Sequence, residues 1–462
     1  MDYPAPRYPS FKEISPEELR SKIRTIVSRP EVEGLANQPH APRYGVKEGN
    51  RVLVVSLSEF DQAVIGEFAG AFRNLGATVD MMTVDSTPSV SKEKLAVLEA
   101  SSIEPSGEKE AVYTRMTNLV NPKAITQLVD FMKYDLVVSG TAGPLPRVPF
   151  RWARMEYISR EEYSSPQVDF PFELQLLIDR KVYESIKRCV KVRVTDPEGT
   201  DFTFTNYDDG RPMALTHEYG KTINFGHNGK EDCSGVIAGT LNHLGAFPRV
   251  KAHLNDSLVV RVEGGGEYGD VWRQKLEDYN KMDFPEFPMR TEMALPGGGV
   301  PKVKMSMPGF FWYWECAIGT VPGVFRLERE GKMMNFANFL HDRKRAGYLH
   351  HGFGGSNNSA KPLMEKGLPW THVHIHNMFA TYEGTAKDGS KVKVIDKGHL
   401  TALDDPEVVA MAKKFGDPKA LLGEVWIPAV PGVNVEGSYE EYSANPTKWI
   451  VEDARRHPVL KR

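Results

Sequence analysis

The stretch THVHIHNMF, residues 371–379, has a histidine at every second position: His372, His374 and His376. In a β-strand, alternate side chains share a face. Three imidazoles would then line one surface. Imidazole binds zinc, iron and manganese near neutral pH and also carries protons. A metal site, a proton relay and a purely structural use are all open on spacing alone. A strand rises about 3.3 Å per residue, so the first and third rings stand roughly 13 Å apart. One pair is therefore expected to bind an ion, with the third beside it or unrelated. Six of the thirteen histidines fall between residues 341 and 376. The others in this window are His341, in the charged run HDRKR and read as a surface residue, and the adjacent His350 and His351.

A typical metal site needs a carboxylate as well. Glu315 is the candidate, set in PGFFWYWECAIGT (308–320) among Phe310, Phe311, Trp312, Tyr313, Trp314 and Cys316. A buried carboxylate must be paired, hydrogen-bonded or metal-bound. An outward-facing glutamate on an amphipathic strand is the competing reading. The aromatic run offers either ring-stacking surface or ordinary core.

The elements around these residues fall into two patterns. Ser15 followed by Pro16, Glu17 and Glu18 predicts a capped helix over 15–28. RVLVVSLSEF (51–60) suits a buried strand, 61–76 a helix, 77–85 a second strand and 124–140 a helix followed by a strand. That alternation argues for an α/β domain with a parallel sheet. The first strand–helix turn, SLSEFDQ, lacks both GxGxxG and a P-loop, so nucleotide binding has no support. The glycine-rich stretches at 263–269, 295–301 and 351–357 read as turns. From VKVRVTDPEGTDFTFTN (190–206) onward the chain reads as a β-rich α+β catalytic domain. The expected organisation is an N-terminal extension (1–48), an α/β domain (49–188), a metal-binding domain (189–400) and a C-terminal extension (401–462). That last part starts with a helix over 404–416 and is read as irregular after 424.

Composition narrows the function classes. With 58 basic and 61 acidic residues and no basic block, nucleic acid is not expected as a partner. Arg343-Lys344-Arg345 is read as a solvated face. Three widely spaced cysteines without a CxxC pair suit a reducing compartment. No apolar run spans a membrane and the N-terminus does not read as a signal peptide, so a cytoplasmic protein is expected.

The order of motifs resembles a family. E-x-x-x-G-T (315–320), G-Y-L-H-H-G-F-G (347–354) and T-H-V-H (371–374), with V-T-D-P-E-G-T-D-F-T-F (194–204) upstream, look like the aminopeptidase T-type metallopeptidases. The likeness covers roughly residues 50 to 385. The same superfamily includes 2,5-dihydroxypyridine dioxygenase, an iron enzyme that opens a hydroxylated ring. The peptidases hold two metals, and the dioxygenase holds one iron on two histidines and an aspartate. Glu315 matches a peptidase glutamate where the dioxygenase has a histidine ligand. His350 matches a peptidase histidine, and Asn357 stands where the peptidases have a tyrosine. His372 matches the histidine of the final H-x-D pair, and His374 replaces its aspartate. Glu231, in HNGKEDCSG, is the nearest stretch to the peptidases' first glutamate.

What the resemblance leaves is Glu315, His372 and His374, the set of a facial-triad Fe(II) oxygenase, with His350 as a fourth ligand or an acid/base. His350, His351 and His376 are the candidates for moving protons. The expected activity is a mononuclear non-haem Fe(II) dioxygenase acting on a hydroxylated aromatic or N-heteroaromatic small molecule. A metallo-aminopeptidase-like hydrolase using zinc, cobalt or manganese is the alternative, and a non-catalytic scaffold the third reading. The resemblance also implies a homodimer.

Overall fold

The fold is taken from a computed structural model. It describes residues 2–10, 12–28, 44–57, 60–84, 96–97, 122–140, 151–155, 157–165, 168–206, 221–224, 232–243, 245–280, 287–290, 302–305, 313–326, 342–354, 372–454 and 456. Helix α1 (Pro16–Val27) starts where the sequence predicts. The Ser15 side chain accepts from the Glu18 N–H at 3.1 Å, satisfying one of the amides that a helix start leaves open. Buried Leu19, Ile23, Ile26 and Val27 share a core with α2 (Gln62–Asn74).

Helix α2 lies on a parallel sheet of β1 (Arg51–Leu57), β2 (Thr78–Val84), β3 (Leu136–Gly140) and β4 (Trp152–Met155), ordered β2-β1-β3-β4, and α1 packs on α2. Helix α3 (Pro122–Met132) covers the other face through Val129. Val52 and Val54 belong to one core and Leu53 and Val55 to the other. That is why β1 reads as a continuous apolar run: both faces are buried. Helices α4 (Arg160–Tyr163) and α5 (Phe172–Arg188) lead into the second pattern.

There the chain switches to antiparallel pairing. One sheet orders β10-β9-β8-β6-β5-β16-β17-β18. It is built from β5 (Cys189–Asp196), β6 (Thr200–Thr205), β8 (Ser234–Leu241), β9 (Ala246–Asn255), β10 (Leu258–Gly264), β16 (Thr381–Ala386), β17 (Lys391–Asp396) and β18 (His399–Leu400). A smaller sheet orders β15-β14-β13-β7, from β7 (Lys221–Asn224), β13 (Tyr313–Ile318), β14 (Leu349–Gly354) and β15 (His372–Asn377). Strands β11 (Phe287–Arg290) and β12 (Lys302–Met305) pair separately. Helix α6 (Gly266–Asn280) packs on β9 and β10. The fold class is thus an α/β unit with a parallel sheet followed by a β-rich α+β unit.

The two antiparallel sheets share one core, and β8 lies directly on β15. A side-chain carbon at Gly239 would fall 2.6 Å from Ile375 Cγ2 and 3.0 Å from the His376 carbonyl oxygen, so only glycine permits this approach.

Three expectations are corrected. The stretch 351–357 does not begin as a turn: His351 to Gly354 belong to β14. The run Arg343-Lys344-Arg345 is not a solvated face: Lys344 and Arg345 are each 1% exposed and Arg343 is half-buried. Backbone pairing with Val321 draws the segment in, through Val321 N–H to Lys344 O at 2.9 Å and Ala346 N–H to Val321 O at 3.0 Å. The Arg345 guanidinium lies over the Trp426 ring at 5.9 Å. The chain after 424 is not irregular throughout. After α7 (Pro406–Ala412) and α8 (Pro418–Leu422) it forms α9 (Tyr439–Ala444), capped by Ser438, and α10 (Pro446–Ala454). Trp426, Ile427, Val430, Val433, Tyr442 and Ile450 bury against Tyr348, Met378 and Phe379, which gives this segment its own core.

Candidate metal centre

Strand register places the candidate side chains. Across the smaller sheet, Glu315 pairs with Gly352 and Gly352 with His374. The next row on the same face is Ala317, His350 and His376. Strand parity alone puts His374 and His376 on one face; antiparallel pairing with β14 adds His350 to it. His350, His374 and His376 are at most 2% exposed.

A further imidazole comes from elsewhere. β15 is the edge of the smaller sheet among the described strands, and the turn between β8 and β9 carries His243 to its histidine face. Asn242 holds that turn: its side chain accepts from the Gly245 N–H at 2.9 Å and its own N–H donates to Gly245 O at 3.1 Å. Thr240 anchors the end of β8 by donating to the buried Glu198 carboxylate at 2.8 Å, which also accepts from Tyr439 of α9 at 3.1 Å. Burial pushes the Glu198 carboxyl up to about 8, with neighbouring Asp196 adding to the effect.

His243, His350 and His374 then converge. Ring centroids lie 3.6 Å apart for His243–His374, 4.4 Å for His243–His350 and 4.5 Å for His350–His374. His243 Nε2 stands 3.5 Å from His350 Nδ1. One ligand nitrogen from each ring lies within 4.8 Å of the other two. Metal–nitrogen bonds of about 2.1 Å allow two ligands of one ion to lie at most about 4.2 Å apart. The three nitrogens stand near that spacing, and the set can hold a metal ion. Imidazole donors suit zinc, iron, copper or nickel. Tyr268 of α6 supports the strand from outside by donating to the His374 carbonyl at 3.0 Å.

Glu315 borders the set without belonging to it. Its Oε2 is 3.7 Å from His350 Nε2. Gly352 makes the room: a side-chain carbon there would meet Oε2 at 2.8 Å and Cβ at 2.9 Å. Burial pushes the Glu315 carboxyl up to about 7, and the Arg343 guanidinium opposes that rise.

His351 is placed on the opposite face. Tyr313, turned across by a bulge before Glu315, meets Nδ1 at 2.8 Å, and Asn377 Oδ1 meets Nε2 at 2.9 Å. Asn377 continues to Thr200 at 3.1 Å and to the Ala238 carbonyl at 2.8 Å. Burial holds the ring down at about 4, against the Asn377 hydrogen bond, so it is neutral.

Of the residues singled out by sequence, the structure brings together His350, His374, Glu315 and His376. It sets His351 apart. His372 lies opposite Gly354, one row beyond His374, with its side chain outside the described residues. Glu231, His341, Asn357 and Phe310 to Trp312 are also outside them. His243 escaped sequence reasoning because it has no histidine neighbour in LNHLG (241–245) and precedes His350 by 107 positions. The available signal was its place in the turn between two strands.

No family model matches the sequence, and no curated protein matches it. Among solved structures, the chain is similar to the 2,5-dihydroxypyridine dioxygenase of Pseudomonas putida KT2440, with 13% identity and a TM-score of 0.41 over 86% of this chain and 99% of that one. It is also similar to wild-type AmpT of Thermus thermophilus, with 14% identity and a TM-score of 0.41 over 83% of this chain and 99% of that one. Among the described residues, no helix is long and apolar enough to cross a membrane.

Proposed function

We propose that the protein is a metal-dependent enzyme built on one divalent ion held by His243, His350 and His374. The observation that carries this reading is the convergence of three buried imidazoles from three separate segments. Buried polar rings in mutual contact are costly, and a shared cation offsets that cost. The ion, when bound, supplies Lewis acidity and open coordination positions.

The leading reading is a mononuclear non-haem Fe(II) dioxygenase that opens a hydroxylated aromatic or N-heteroaromatic ring. One feature favours it. The ligands are all neutral, so the ion keeps its full charge for an anionic oxygen donor such as a ring hydroxylate. Glu315, beside His350, is placed to take the proton that the hydroxyl gives up. The second reading is a hydrolase of the aminopeptidase kind. The same carboxylate favours it, because a base beside a metal-bound water also serves hydrolysis.

The deciding experiment is elemental analysis of anaerobically purified protein, followed by oxygen uptake with dihydroxylated aromatics and anaerobic assays with peptides. One iron per chain and oxygen uptake support the dioxygenase. One zinc, cobalt or manganese with anaerobic peptide cleavage supports the hydrolase. No stoichiometric metal after reconstitution sinks both.

A further inference from the structure

Tyr348 decides which nitrogen of His376 carries the hydrogen. Its phenol is buried, and among the described residues its hydroxyl meets one partner, His376 Nδ1, at 2.9 Å. A buried phenol O–H needs an acceptor. Donation to Nδ1 provides one. The reverse bond, from Nδ1–H to the phenol oxygen, would strand the hydroxyl hydrogen. Nδ1 is thus the acceptor, and a neutral ring bears its single hydrogen on Nε2. A protonated ring would carry a hydrogen there as well.

Nε2 is therefore a donor, and it is buried without an acceptor among the described residues. The ring shares a face with the metal-binding set, with its centroid 5.0 Å from His243 and 5.3 Å from His350. A nitrogen that bears hydrogen has no lone pair for a metal. The fourth histidine of the site is thus suited to the ligand and not to the ion.

We propose that His376 Nε2–H is the hydrogen-bond donor for a substrate oxygen bound at the His243–His350–His374 centre. The chemical class is an acceptor oxygen: phenolate, carboxylate or carbonyl. Tyr348 is a positioning residue that keeps the hydrogen on Nε2. A donor fixed in a dry site needs no reorganisation and is strongest toward an oxygen that gains negative charge. This inference rests on the metal-centre reading and adds the group that recognises the substrate.

The test uses the full chain loaded with Co(II). Cobalt is counted per chain, and salicylate and imidazole are each titrated against the visible spectrum. His376→Leu and Tyr348→Phe are expected to keep one cobalt per chain; His376→Leu should weaken salicylate by roughly tenfold, as for one lost hydrogen bond to a charged group, and Tyr348→Phe, which keeps the donor and frees its tautomer, by less. Imidazole, whose coordinating atom accepts no hydrogen bond, should bind unchanged. His376→Gln, with an amide N–H near the Nε2 position, should recover most of the salicylate affinity. Loss of cobalt from a folded His376→Gln protein would make His376 a ligand and overturn the proposal. Unchanged salicylate affinity with full cobalt in both variants overturns it too. Should His376→Leu fail to fold, His376→Phe carries the same test. A wild-type chain that takes up no metal overturns the centre itself, and this inference with it.

Discussion

His350 and His351 are neighbours on one strand, both buried, and they face opposite surroundings. His351 sits in a completed chain: Tyr313 on one nitrogen, Asn377 on the other, then Thr200 and the Ala238 carbonyl. It joins the two antiparallel sheets. His350 faces three further imidazoles and a carboxylate, and His376 in that group holds a donor that no described residue accepts. Hydrogen bonding completed within the protein makes a histidine structural. Polar groups that converge with capacity left over make a site.

The contrast is most exposed to His243→Ala. Removing one of three ligands should weaken metal binding by more than about 100-fold, because partners outside the ligand set alone are worth ~10–100-fold. Unfolding of the metal-free protein in urea should barely change. Metal retained at wild-type affinity would mean that the three rings are not a ligand set.

His351→Ala should do the opposite. It removes the hydrogen bonds that His351 makes with Tyr313 and Asn377 and opens a cavity, at a cost of about 3 kcal/mol in unfolding free energy. The folded fraction should still bind one metal per chain. Metal loss without loss of stability would erase the distinction between the two faces.

Gly352→Ala probes the row between Glu315 and His374. A methyl group there would meet Oε2 at 2.8 Å, so the carboxylate must turn away, and a cost of about 1–2 kcal/mol is expected from overpacking. Activity should fall further than metal content. Equal falls in both would place Glu315 among the ligands.

The smallest effect concerns a histidine of a third kind. His399 meets Glu424 at 2.8 Å and Asp404 at 2.9 Å and is partly exposed. The hydrogen bond to Glu424 leads in raising it to about 9, against desolvation. The folded state therefore binds the proton more tightly than the unfolded state. The stabilisation is complete below pH ~6.5, an unperturbed histidine's pKa, and is lost as pH rises from there through the raised value. The gap in urea midpoint between wild type and His399→Gln should be wide at pH 6 and close by pH 9.5. A gap that widens with pH would refute the pairing.

Much of this was readable in the sequence. The Ser15 cap, the doubly buried β1 and the switch to antiparallel strands near residue 190 all follow from local propensity and apolar period. So does the shared face of His374 and His376, because strand parity is a property of the backbone. Glu315 stood out as a carboxylate in an apolar run.

The tertiary structure decided the rest. Parity says which residues share a face, and register says which strands meet there; register depends on chain segments far apart. His350 and His351 cannot be told apart until β14 is paired, because a shift of one residue exchanges their faces. His243 joins the set because β15 is the edge of the smaller sheet among the described strands and the β8–β9 turn reaches its face. Arg345 looks solvated until Trp426 and the Val321 pairing draw it in. Each depends on a contact between distant segments, and local spacing cannot encode such contacts.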